Sequence, residues 1–345
     1  MRSNGKRFYL MILAVVVALS AAVSAQADNS YISIQEMKDN VPSSWTETLK
    51  GGKKNFDCTV DAPIAVPEVE RFPILIITYQ GKIQGLEETG YCIEENTEHA
   101  LFVKNRPDEK AGDSGHFDFY STNEDALNEE TIKLAEEKAR KILSKVWNLN
   151  GTVLEKIGTY VKQDAYSSFK LVEVDFCPIY NGIAYLERPG SFSIIKNRTE
   201  PPNNLIYAFW REDEEYEGAY IEIPRLIGEC IEDVPLLPFE NIQEVIRQRI
   251  QEGYIQSICE IRLGYISANS PDHPGEEFFL TPAWVVCGVM NSYPNIPFYP
   301  ENYSPEQRYI ASELVINAQT GEIVDFTSHS KETFDARILT WEDVR

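Results

Sequence analysis

The sequence predicts an α+β fold of two modules, each an amphipathic helix packed on one face of an antiparallel sheet. Three observations lead there. Two stretches, from Asn128 to Val146 and from Phe239 to Gly253, carry apolar residues at three- and four-residue steps. Each is followed by runs of β-branched and aromatic residues broken by turn signals. The two blocks begin about 110 residues apart, the length of a domain and not of a solenoid repeat. The expected boundaries are 1–27 for an export signal, 28–125 for an N-terminal leader and β-rich segment, 126–235 for the first module and 236–345 for the second.

The chain opens on an export signal. Arg2, Lys6 and Arg7 form a short positive region, and Phe8 to Val23 is almost wholly apolar. Ala25-Gln26-Ala27 then fits the small-x-small cleavage pattern, with Asp28 as the first mature residue. A spanning helix needs roughly 20 apolar residues. This stretch is shorter and ends in small residues, so cleavage is the expected outcome. An uncleaved anchor is the alternative, and the one expected route to a membrane. The expected location is extracellular or in the cell envelope.

Residues 28–55 are polar and poorly patterned, with a short helix expected within Ser30 to Lys38 and punctuation at Pro42-Ser43-Ser44 and Gly51-Gly52. Short strands are expected from Phe56 to Ala62 and from Phe72 to Tyr79, and a polar loop over 104–125. Asn128 is placed to cap a helix whose face is Ile132, Ala135, Ala139, Ile142, Leu143 and Val146. Strands follow from Phe169 to Phe176 and from Gly182 to Leu186, and Asn181-Gly182 marks a hairpin. A second pair, Leu205 to Trp210 and Gly218 to Ile223, flanks the acidic tip Glu212 to Glu215. In the second module Ile242, Val245, Ile246 and Ile250 form the helix face and Gly253 its stop. Strands are expected from Ile255 to Tyr265, from Phe279 to Met290 and from Leu314 to Phe326, the last broken at Gly321.

Composition narrows the function classes. The formal net charge is −22, and removing Arg2, Lys6 and Arg7 with the signal takes it to −25. Such a charge repels nucleic-acid phosphates, so no nucleic-acid partner is expected. Acidity spread along the chain acts first as a solubility device, and second as attraction for cations or a basic partner. Six cysteines remain after cleavage: Cys58, Cys92, Cys177, Cys230, Cys259 and Cys287. No C-x-x-C pair occurs among them. An oxidising compartment permits three bridges among six, and burial as small apolar residues is the competing reading.

The strands of the second module carry a resemblance. Leu280-Thr281-Pro282-Ala283-Trp284-Val285-Val286, followed by Leu314-Val315-Ile316-Asn317-Ala318-Gln319-Thr320-Gly321-Glu322-Ile323-Val324, resembles PepSY-like modules. It is similar in particular to the C-terminal part of YycI/YycH-type accessory proteins of Gram-positive bacteria, which restrain a cell-wall-sensing histidine kinase. Pro178 to Ile183 resembles the strand-turn-strand of the same group. The layout is also similar to uncharacterised clostridial secreted proteins. The resemblance covers about the last 90 residues by motif and 128–225 by topology. It implies a PepSY-like α+β fold and a regulatory role. The sequence departs from the group in lacking a clear retained membrane anchor.

The sequence carries no catalytic constellation. His99, His116, His273 and His329 are far apart and form no H-E-x-x-H pair. His116-Phe117-Asp118 reads as a loop histidine beside solvated acids. Gly112-Asp113-Ser114-Gly115 echoes a serine-protease tetrapeptide without a matching triad order. No G-x-S-x-G elbow, phosphate loop or dinucleotide fingerprint occurs. Asp213-Glu214-Glu215 lacks the spacing of an EF-hand. Tyr207, Phe209, Trp210, Tyr216 and Tyr220 suggest either an exposed aromatic face or cross-strand packing, and packing is the usual fate of strand aromatics. No catalytic residue, cofactor or metal ligand is assigned. The expected function is non-catalytic binding or regulation of a protein in the cell envelope, such as a sensor ectodomain or a protease. A secreted hydrolase acting on peptide or cell-wall material, and a substrate-binding protein, are the alternatives.

Overall fold

The computed structural model describes residues 31–51, 56–78, 92–95, 100–104, 119–122, 128–147, 153–164, 170–186, 206–211, 217–221, 225–270, 277–290, 311–324 and 338–344. Every element lies in one unit, Ile32–Arg345. Among the described residues there are three helices: α1 (Ile34–Asn40), α2 (Glu129–Val146) and α3 (Phe239–Gln251). Ser33 and Glu36 cap α1 reciprocally, and Asn128 Oδ1 caps α2 by accepting the Thr131 N–H at 2.8 Å.

The strands form two sheets. The first contains β1 (Ser44–Gly51), β2 (Phe56–Ala65), β3 (Ile74–Thr78), β12 (Arg225–Ile231), β13 (Ile255–Asn269), β14 (Glu277–Met290), β15 (Ala311–Asn317) and β16 (Ile323–Val324). The second contains β4 (Cys92–Glu95), β5 (Ala100–Lys104), β6 (Phe119–Thr122), β7 (Val153–Asp164), β8 (Lys170–Tyr180), β9 (Ile183–Ala184), β10 (Ile206–Arg211) and β11 (Glu217–Ile221).

This corrects the α+β expectation of two consecutive PepSY-like modules. The chain is predominantly β, and while the second sheet is one consecutive run of strands, β4 to β11, the first is assembled from both ends of the chain. β1, β2 and β3 join β12 to β16, while β4, β5 and β6 join β7 to β11. β2 pairs parallel with β13, so the first sheet is mixed and not antiparallel. The physical reason lies in residues 44–78. Trp45, Val60, Ala62, Ile64, Ile74, Leu75 and Ile77 are buried. Such apolar strands must lie against a core, and they find it in the later half of the chain. β1 also falls inside the stretch expected to be leader, and β12 follows no run singled out in the sequence.

Packing explains the rest. α2 lays Ala135, Ala139, Ile142, Leu143 and Val146 over Val174, Phe176, Ile206, Ala208, Trp210, Ala219 and Ile221 of the second sheet. α3 buries Phe239, Ile242, Ile246 and Ile250, and the Phe239 ring meets Trp284 with centroids 4.8 Å apart. The indole N–H of Trp284 is buried without a hydrogen-bond partner, which costs about 1–3 kcal/mol.

The sheets meet at the β8–β9 hairpin. Asn181 (φ 51°) and Gly182 (φ 81°) adopt the left-handed pair of a tight hairpin turn. The chain then docks on β13: Leu186 N–H donates to Tyr265 O at 2.8 Å. Cys177, Ala184 and Leu186 pack there on Ile266, Ala283, Val285, Val315 and Val324. A Cβ on Gly264 would sit 2.6 Å from Ala184 O, so this contact needs glycine.

Candidate functional site

A groove of about 500 Å³ opens between the C-terminal half of α3 and the turn before β16. Val245, Gln248, Arg249 and Glu252 line one wall, and Gly321, Glu322 and Ile323 the other. The first wall follows from helix geometry. With Ile242, Ile246 and Ile250 facing the core, residues 245, 248, 249 and 252 recur at three- and four-residue steps along a neighbouring stripe. α3 is held from below by Arg247, whose guanidinium lies over the Trp45 ring at 5.1 Å and donates to Glu47 at 3.2 Å.

The second wall is the turn that carried the PepSY resemblance. Asn317 Oδ1 accepts the N–H groups of Gln319 at 2.8 Å and Thr320 at 3.1 Å. Gly321 N–H donates to Asn317 O at 2.9 Å, and Gly321 sits at φ 72°, which favours glycine. Leu237 N–H donates to Ala318 O at 2.8 Å, which ties the turn to the residues before α3.

The charges of the groove are largely engaged with one another. Arg249 Nη1 lies 2.8 Å from Glu252 Oε2, and its guanidinium lies 5.2 Å from the Tyr254 ring centre. Gln248 Nε2 donates to Glu252 Oε1 at 3.2 Å. Glu322 Oε2 accepts the Thr320 hydroxyl at 3.3 Å. Val245 and Ile323 supply apolar surface between these groups. The lining has no histidine, cysteine or hydroxyl nucleophile, and no cluster of three or more metal-binding side chains occurs among the described residues.

The other residues singled out in the sequence do not gather here. His99, His116, His273, His329, the 112–115 tetrapeptide, the 212–215 tip, Tyr216 and the export signal lie outside the described residues. The aromatic set divides. Trp210 is buried under α2 with Lys138 Nζ 5.0 Å from its ring centre. Tyr207 stacks on Tyr220 at 5.2 Å and leans on Phe209 at 5.9 Å. Cys58 is buried, and burial pushes its thiol up to about 11. No described helix is long and apolar enough to cross a membrane.

Sequence reasoning missed the groove. It took α3 for its apolar face and the 317–322 turn for a fold signature. The available signal was the run Gln248, Arg249, Glu252 at helical spacing beside a glycine turn.

No protein-family model matches the chain. No curated protein matches it. The chain is similar to an uncharacterized protein from Eubacterium rectale ATCC 33656 whose crystal structure is known at 1.45 Å, with 15% sequence identity, coverage of 82% of this chain and 94% of that one, and a TM-score of 0.48.

Proposed function

We propose that this chain is an exported, non-catalytic protein that grips a segment of another cell-envelope protein in the groove between α3 and the 317–322 turn. A sensor ectodomain or an envelope protease is the kind of partner meant. The observation that carries the reading is the Arg249–Glu252 pair at 2.8 Å. It ties the groove's arginine and one of its acids to each other, which suits recognition more than proton transfer. The chain's net charge of −22 favours a basic partner segment. The export signal read from Arg2 to Ala27 supplies the compartment.

The test uses the full chain. Cross-linking in intact producing cells, followed by mass spectrometry, is compared between wild type and Glu322→Lys. One envelope protein captured by wild type and lost in the variant supports the reading. Equal capture by both removes the groove from it. A mature N-terminus at Asp28 in the culture medium supports export, and a wholly cytoplasmic chain overturns it.

A second reading has one observation in its favour: two carboxylates, Glu252 and Glu322, line the same groove. Hydrolysis of peptide or cell-wall fragments by wild type, abolished in Glu322→Gln, would establish a hydrolase instead.

A further inference from the structure

β13 carries a bulge that sets two cysteines against each other. The ladder pairs Ile258 with Gly288 and Glu260 with Cys287, which leaves Cys259 as the extra residue. In a bulge, two residues of one strand oppose one of the other. Cys259 and Glu260 therefore share Cys287 as their facing residue. The Cys259 thiol donates to the Cys287 carbonyl oxygen at 3.5 Å, across 28 positions of sequence. Facing residues of an antiparallel ladder have Cα atoms about 4.5–5.5 Å apart. A disulfide spans about 4.4–6.8 Å between Cα atoms.

Among the other cysteines whose side chains the structure describes, Cys58 and Cys230 compete poorly. Cys58 is fully buried in β2. Cys230 is exposed on β12, where its thiol donates to Ile74 O at 3.4 Å. Cys177 belongs to the inter-sheet cluster against which Cys287 packs. It lies on β8 of the other sheet, so a Cys177–Cys287 bridge is the competing outcome that peptide mapping separates. Cys259 is exposed and so open to an oxidant, and Cys287 is half-buried beside it.

We propose that Cys259 and Cys287 form a cross-strand disulfide that pins the β13 bulge to β14. The oxidant is a disulfide, either small-molecule or protein-borne. The Cys259 thiolate attacks one sulfur of it and expels a thiolate, giving a mixed disulfide. The Cys287 thiolate then attacks the Cys259 sulfur and expels the second thiolate. Both protein sulfurs are oxidised, the oxidant is reduced to two thiols, and the two protein protons end on those thiols. The placement of the cysteines carries this proposal, independently of where the chain resides.

The full chain is incubated with oxidised glutathione, its remaining thiols are alkylated under denaturing conditions, and it is digested and mapped by mass spectrometry. The expected result is a linked pair of peptides containing Cys259 and Cys287, absent from Cys259→Ser and from Cys287→Ser. Adding reductant to the oxidised wild type should raise its unfolding constant on the order of 100-fold, and should leave Cys259→Ser unchanged. Alkylation of both cysteines after oxidation, or a bridge from Cys287 to Cys177, overturns the proposal.

Discussion

Arg262 on β13 and Glu155 on β7 meet with Nη2 and Oε2 2.7 Å apart, and the pair joins the two sheets. The Arg262 side chain is 14% exposed and Glu155 is 40% exposed. Burial works against the arginine's charge, but Glu155, with help from Glu260, outweighs it and holds the guanidinium above its ordinary value. Removing Glu155 leaves a cation short of solvent. Glu155→Ala should cost about 1–3 kcal/mol, between the typical exposed and buried cases. The double variant with Arg262→Met should recover part of that loss. Urea unfolding measures both, and equal stability of Glu155→Ala and wild type would show that the pair contributes nothing.

The same interface has a steric test. A Cβ on Gly264 would lie 2.6 Å from both Ala184 O and Leu186 Cδ1. One of these atoms is backbone, so a rotamer change cannot relieve the clash. Gly264→Ala should destabilise by about 1–3 kcal/mol. At Gly228, in β12, an added Cβ meets nothing within 4 Å. Gly228→Ala is therefore the matched control and should stay within about 0.5 kcal/mol of wild type. Chain entropy alone favours alanine at both sites, so similar losses would mean that a backbone effect common to both strands, not the sheet contact, sets the result.

The contrast between Gly264 and Asn181-Gly182 shows what the sequence makes legible. Asn181-Gly182 is a local signal, and the chain turns there with φ of 51° and 81°. Asn128 caps α2, and Ala135, Ala139, Ile142, Leu143 and Val146 are buried as their spacing predicts. Gly253 follows α3 at φ 84°. Each of these is decided within a few residues. Gly264 matters because of Ala184, some 80 positions earlier, and nothing beside Gly264 announces that. Likewise β2 pairs with β13 across about 200 positions, Thr59 facing Ser257. Alternation reveals that a strand has a buried face, but not which strand lies beside it. That is why the fold class failed while individual helices and turns stood. The groove was illegible for the same reason: its walls, α3 and the 317–322 turn, lie about 70 positions apart.

Two surface carboxylates give the chain an acid-sensitive edge. Glu36 is held below its ordinary value near 4.5, first by the Ser33 backbone N–H and then by the Ser33 hydroxyl. Glu47 is lowered first by the Trp45 indole N–H and then by Arg247. A carboxylate with a depressed folded value stabilises the fold above its unfolded value, and the stabilisation disappears as pH falls through the folded one. Melting temperature should therefore drop below a pH of about 4.5. The Glu36→Gln/Glu47→Gln double variant should be less stable than wild type at pH 6 and show a shallower decline towards pH 3. Parallel curves for the two proteins would assign the acid loss to other groups.

Gln319 is 1% exposed and makes three hydrogen bonds through its side-chain amide. Nε2 donates to Pro235 O at 3.0 Å and to Leu339 O at 2.7 Å, while Oε1 accepts the Leu339 N–H at 3.2 Å. One side chain thus fastens the C-terminal segment 338–344 to the residues before α3. Asp233 backs it up by accepting the Trp341 indole N–H at 3.0 Å and the Phe72 N–H at 2.8 Å. Gln319→Leu keeps the volume but leaves a backbone N–H and two carbonyls without these partners. Unmet buried groups cost about 1–3 kcal/mol each, partly offset by local rearrangement, so a total loss of about 2–4 kcal/mol is expected. The loss should be directional. Cleavage after Arg337 by trypsin should accelerate in Gln319→Leu more than global unfolding does, because the segment can peel away while the sheets stay paired. Gln319→Glu separates charge from geometry: a carboxylate still accepts from Leu339 N–H but repels both carbonyls, so it too should release the segment. If segment cleavage in both variants merely tracks global unfolding, the C-terminal residues are held by the packing of Leu339 and Trp341 and not by the Gln319 amide.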